Sequence, residues 1–176
     1  MRSVTPGRAG TAVFSIEDLG NATLAVQGMS FAAKEALVDA IHVEQPNLLY
    51  AVLVLQRYGA SMQQIEVMLE LLLVVYTAMK ASGRQWRRIT DDLQETCLKR
   101  VTGRIGFAEG LAPAQFEAAV HQIIEAHPEP VLLSLAVGRL GDAGWLGIAD
   151  DAQKYLVLAA LNLVECVSQS ADRSAR

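Results

Sequence analysis

Little in this chain reads as catalytic machinery. It has no Gly-Lys-Ser/Thr closing a glycine-rich loop, no His-Glu-x-x-His and no Glu-x-x-His. The sequence signatures of P-loop phosphate binding, of zinc peptidases and of carboxylate-bridged di-metal bundles are thereby missing. Cysteine is used only at Cys97 and Cys166, both in apolar-periodic stretches and without ligand spacing. That excludes a disulfide framework or a zinc ribbon, and two small core thiols in a reducing, cytoplasmic setting are expected. Aromatic residues make up 6% and charged residues 19%. The first weakens the case for sheet, and the second argues against disorder away from the ends. Net charge is −4, so the basic surplus that drives indiscriminate nucleic-acid binding is absent. Residues 11–16 are too short for the core of a secretory leader and run into Glu17-Asp18. No uninterrupted apolar run reaches the ~18 residues of a membrane span; the nearest, over 67–79, is broken by Glu70. No membrane partner and no cofactor are expected.

What is abundant is Ala, Leu and Val, within an apolar share of 52%. These residues favour packed helices, and 176 residues suit one domain able to bury roughly two-thirds of its unfolded surface. Punctuation predicts about seven helices. A first runs over 22–43, broken near Gly28. A second, over 47–58, follows Pro46 and closes at Gly59. A third is capped by Ser61 with Gln64 as its capping-box partner, and ends near Gly83. Thr90 caps a fourth, with Asp91 and Asp92 complementing its dipole, ending near Gly106. Pro113 and Pro130 open the fifth and sixth, and the last covers 149–168. Residues 1–20 read as a flexible arm and 169–176 as a flexible tail around a single helical domain, 21–168. The fold class is all-α, a bundle or orthogonal array.

Three of these helices are apolar around most of their circumference. The third has only Gln63, Gln64, Glu66, Glu70, Thr77 and Lys80 as polar positions; residues 48–55 of the second are unbroken; the last is nearly so over 155–161. Such helices are central in a core or covered by another subunit. A homo-oligomer that hides one face is therefore expected, given how common symmetric dimers are.

Four constellations could carry function. Gly59, Ser61 and Ile65 resemble the turn of a helix-turn-helix DNA-binding unit. The helix that would enter the groove, however, offers Gln63, Gln64, Glu66 and Glu70, and carboxylates oppose phosphates. Lys80, Arg84, Arg87, Arg88, Lys99, Arg100 and Arg104 give residues 80–104 a charge of +4 against −8 for the rest. With Trp86 among them, Arg84, Arg87, Arg88, Lys99, Arg100 and Arg104 form the best surface for a protein partner. A solvated connector with Trp86 tucked against the core would explain them too. Glu117, His121 and Glu125 share a helix face and could begin a metal site, completed by Glu66 and Glu70; an exposed polar face is the alternative. His42, near Glu44, could serve catalysis only beside a nucleophile such as Cys97 or Cys166. The leading expectation is a non-enzymatic, self-associating interaction module. A DNA-binding regulator using the 47–66 hairpin with the basic segment, and a metal-dependent helical enzyme, are the alternatives.

Overall fold

Ser15, Ser30, Ser61, Thr90 and Asp150 each stand just ahead of an apolar-periodic stretch. Each side chain accepts a hydrogen bond from the backbone N–H three residues on. That satisfies one of the orphan donors at a helix start. Pro46, Pro113 and Pro130 take first helical positions, where a missing N–H costs nothing. In the computed structural model, which describes residues 12–108 and 112–171, these signals delimit eight α-helices. They are α1 (Ile16–Gln27), α2 (Phe31–Glu44), α3 (Pro46–Leu53), α4 (Met62–Ala81), α5 (Asp91–Ala108), α6 (Pro113–Ala126), α7 (Pro130–Asp142) and α8 (Asp151–Ser170), with a 3-10 segment, Val54–Tyr58, after α3. Among the described residues there is no strand; Trp86 and Ala171 form an isolated antiparallel bridge. The fold is all-α, as the composition implies.

The break expected near Gly28 is present: Gly28, Met29 and Ser30 separate α1 from α2. Two boundaries differ from the sequence reading. Order begins earlier, inside the stretch read as an arm. Phe14 and Leu19 are buried, and the buried Glu129 carboxylate accepts the backbone N–H groups of Val13 (2.9 and 3.0 Å) and Phe14 (3.2 Å). An anchor more than a hundred residues away leaves no local pattern. Residues 1–11 lie outside the described residues. At the other end α8 continues to Ser170, whose carbonyl accepts from the Arg87 N–H, and Ala171 is buried. Residues 172–176 of the expected tail lie outside the described residues.

α4 is the centre of the core. It packs against α1, α2, α3, α7 and α8, and every residue from Leu71 to Tyr76 is buried. It is the one helix among those described that is long and apolar enough to cross a membrane; 56% of its most apolar window is buried inside the fold. Away from α4, α8 lies along α5 and α7, and α6 rests on α5 and α7. This second group holds the site described next.

Candidate functional site

The basic segment does not form one surface. Lys99 pairs with Glu95 at 2.8 Å one turn back, both exposed, a contact of little energetic weight. Lys80 pairs with Glu44 at 2.9 Å, and this bond holds the Glu44 carboxyl below its ordinary range. Arg87 donates to the Gln169 carbonyl at 3.1 Å. Trp86 is half-buried: its ring stacks on Phe14 with centroids 5.6 Å apart, and its indole N–H reaches the Met79 carbonyl at 2.9 Å. It is thus tied to the core rather than offered as a free platform. Arg84, Trp86 and Arg88 line a polar hollow of about 530 Å³ together with Glu44, Tyr76 and Lys80. Arg100 and Arg104 turn the other way, toward α8.

There they meet Glu165, whose side chain is 3% exposed. Its Oε2 accepts from Arg104 at 2.8 Å and from His127 Nε2 at 3.1 Å, and its Oε1 lies 3.6 Å from Arg100. The His127 Nδ1 accepts the backbone N–H of Glu129 at 3.0 Å. A nitrogen that accepts carries no proton, so the ring proton sits on Nε2 and points at the carboxylate. Burial alone would raise the Glu165 pKa, but the hydrogen bonds from His127 and Arg104 outweigh it and hold the value at about 2. The result is an ionised carboxylate, satisfied from three directions, inside an apolar helix. His127 is itself fixed by the Pro128-Glu129 turn that also anchors residues 13 and 14.

This cluster forms one end of a cavity of about 390 Å³ between α5, α6, α7 and α8. Apart from Glu117 and His121 at the rim, the rest of the wall is hydrocarbon: Val101 and Ile105 of α5, Phe116, Val120, Ile123 and Ile124 of α6, Leu133 and Val137 of α7, and Val157 and Leu161 of α8. Leu146 and Ile148 of the α7–α8 connection close one side. Ile148 has φ 45, a left-handed conformation that a β-branched residue adopts only under tertiary constraint.

Of the proposed metal trio, Glu117 and His121 line the rim of this cavity and Glu125 does not. Among the described residues no three His, Cys, Asp or Glu side chains are grouped to hold a metal. Glu66 and Glu70 on α4 do not complete the trio; Glu70 instead faces Arg139 of α7 at 3.9 Å. His42 is exposed and lies edge-on to Tyr50, far in role from Cys97 and Cys166. Those two thiols are buried and in contact with each other, and burial, first among the causes, pushes both pKa values up. The contacts of His42 among the described residues are with Tyr50, through ring packing and a 3.4 Å approach of the hydroxyl to Nδ1. The helix-turn-helix-like link does form, with Gly59 at φ 90 and Ser61 capping α4. The helix after it is the core helix, however, and its exposed first turns hold Met62, Gln63 and Glu66, with no base-reading cation.

The sequence reading selects neither Glu165 nor His127 as a site residue. A signal existed for one of them: Glu165 stands alone between Leu163-Val164 and Cys166-Val167, and a charge that interrupts a buried helix needs a partner. No family model, no curated protein and no solved structure matches this chain.

Proposed function

We propose that this protein is a non-enzymatic helical interaction module that self-associates through the exposed side of α2. One observation carries the reading. The four most exposed large apolar side chains among the described residues are Ile16 (79%), Phe31 (78%), Val43 (72%) and Leu24 (68%), all on α1 and α2. On α2 only Ile41 is fully buried. Ala32, Ala36 and Val43 fall on the stripe opposite Ile41 and are exposed. A helix whose backbone can be approached closely on that side, beside a protruding Phe31, suits another helix.

A second copy of the chain is the occupant that best fits this face. In an antiparallel arrangement about a two-fold axis, the same short stripe meets itself and needs no second surface. The partner-binding role of the basic segment is a weaker element of the reading, because Arg100 and Arg104 serve Glu165 and only Arg84 and Arg88 keep an open hollow. A reducing, cytoplasmic setting suits Cys97 and Cys166 as small buried core thiols. Size-exclusion chromatography with light scattering tests the proposal. A dimer that becomes monomeric in Phe31→Asp/Val43→Asp is expected; a wild-type monomer at every accessible concentration would overturn it.

A further inference from the structure

We propose that the cavity beneath α6 is a binding site for a small apolar carboxylic acid, held by hydrocarbon contacts along its body and by the Arg104 guanidinium at its head. The inference is independent of self-association. Its first support is α6 itself. That helix has an apolar stripe, Val120, Ile123 and Ile124, yet none of its described side chains is fully buried. In a core these residues would be covered by neighbours. Here they face a space of about 390 Å³, within the range of small-molecule sites. An apolar guest would supply the missing contact.

The head group follows from the polar end. Glu165 is already satisfied by His127 and Arg104, with Arg100 at 3.6 Å. His127 has its Nδ1 committed to the Glu129 N–H and its Nε2 proton to Glu165. Neither offers anything to a ligand. Arg104 spends its NH1 group on Glu165 and is 40% exposed, so other donors of its fork remain for an incoming acid. With the Glu165 carboxylate already held by Arg104 and, from behind the cavity wall, faced by Arg100 at 3.6 Å, the spare N–H groups of Arg104 are the charged donors that a head group meets at this end. An ammonium head would be repelled there, and a hydroxyl would gain no charge-assisted bond. Glu117 and His121 of α6 also line the opening, at exposed positions where solvent and salt screen their charge.

Isothermal titration of the full chain with sodium decanoate, decan-1-ol and decylammonium chloride, all below micelle-forming concentrations, tests this. Decanoate is expected to bind at one equivalent, at least tenfold more tightly than the alcohol or the amine. Leu161→Trp, which fills the cavity from α8, is expected to weaken decanoate at least tenfold; Leu24→Ser, on exposed α1, should leave it unchanged. Should Leu161→Trp lose its helical circular dichroism, Val137→Phe from the opposite wall makes the same test. Arg104→Lys should lose severalfold for decanoate and nothing for decanol. Absence of saturable decanoate binding, equal binding of decanol, or indifference of decanoate to both filling substitutions would each overturn the proposal.

Discussion

α4 and α2 begin alike and end in opposite situations. Each is capped by a serine, Ser61 or Ser30, and each is rich in Leu, Val and Ala. α4 buries ten of its residues, whereas α2 buries Ile41 alone. The difference is one of neighbours rather than composition. α4 is enclosed by five other helices, so apolar residues on every side find contacts; α2 packs mainly against α3 and α4. Its apolar residues are spread around the helix and cannot all face one layer. Apolar content thus reports that a helix wants cover, and the surrounding fold decides whether the same chain provides it.

The sharpest test of this contrast is truncation in each helix. Leu72 of α4 has no exposed surface, so Leu72→Ala is expected to cost about 2–5 kcal/mol in urea unfolding. Val38→Ala, half-buried on α2, should cost under about 1.5 kcal/mol at concentrations that keep the chain monomeric. Equal costs would mean that α2 is packed as tightly as the core helix and would remove the contrast.

The second expected effect belongs to the α5–α8 group and is read through pH. Glu165 has its pKa lowered from an ordinary 4.5 to about 2. A carboxyl that is more acidic when folded contributes stability that is fully present above its unfolded pKa. That contribution is lost as pH falls from about 4.5 toward 2. Wild-type stability should therefore fall across that acid range, and Glu165→Gln should flatten part of the fall. At neutral pH the same substitution should cost on the order of 2 kcal/mol. That is less than breaking a fully buried pair, since Arg100 and Arg104 are 48% and 40% exposed and can turn to water. An unchanged acid limb in Glu165→Gln would show that another group controls it.

How much of this was legible in the sequence divides along the same line. Caps and breakers act within a few residues, so Ser61 with Gln64, Thr90 and the three opening prolines marked helix starts correctly. The all-α class follows from these and from composition. What was not legible depends on distant pairs. Glu129 fixing residues 13 and 14, Trp86 stacking on Phe14, and α8 gathering Arg100 and Arg104 all join segments far apart in the chain. The basic segment looked like one patch because charge was summed along the sequence, whereas helix orientation splits it between two hollows. The fate of Glu117 and His121 is similar: their shared helix face was readable, but the cavity they border is made by three other helices.

A smaller effect isolates the shared feature of the two helices, their serine caps. Ser61→Ala removes one bond of a capping box, the Gln64 N–H donated to Ser61 Oγ at 3.3 Å, and leaves the backbone N–H of residue 61 its bond to Gln64 Oε1 at 2.8 Å. The side-chain loss should cost about 1 kcal/mol. Ser30→Ala, at a single-bond cap (3.2 Å) on the less embedded helix, should cost less. A larger cost at Ser30 would mean that α2 depends on its cap because packing holds it so weakly, and would reverse the ranking while keeping the contrast.

The smallest expected change in monomer stability is at Phe31, which is 78% exposed. Replacing it by serine removes few intramolecular contacts, so Phe31→Ser should stay within about 0.5 kcal/mol of wild type in dilute solution. Its consequence should appear instead in concentration dependence. A partner that binds only the folded chain raises the apparent Tm as its concentration rises. If α2 is covered by a second copy, the wild-type Tm should climb with protein concentration and the Phe31→Ser Tm should not. A wild-type Tm that ignores concentration would leave α2 bare in solution, and the exposed Ile16, Leu24, Phe31 and Val43 would then have to be matched by a partner of different sequence.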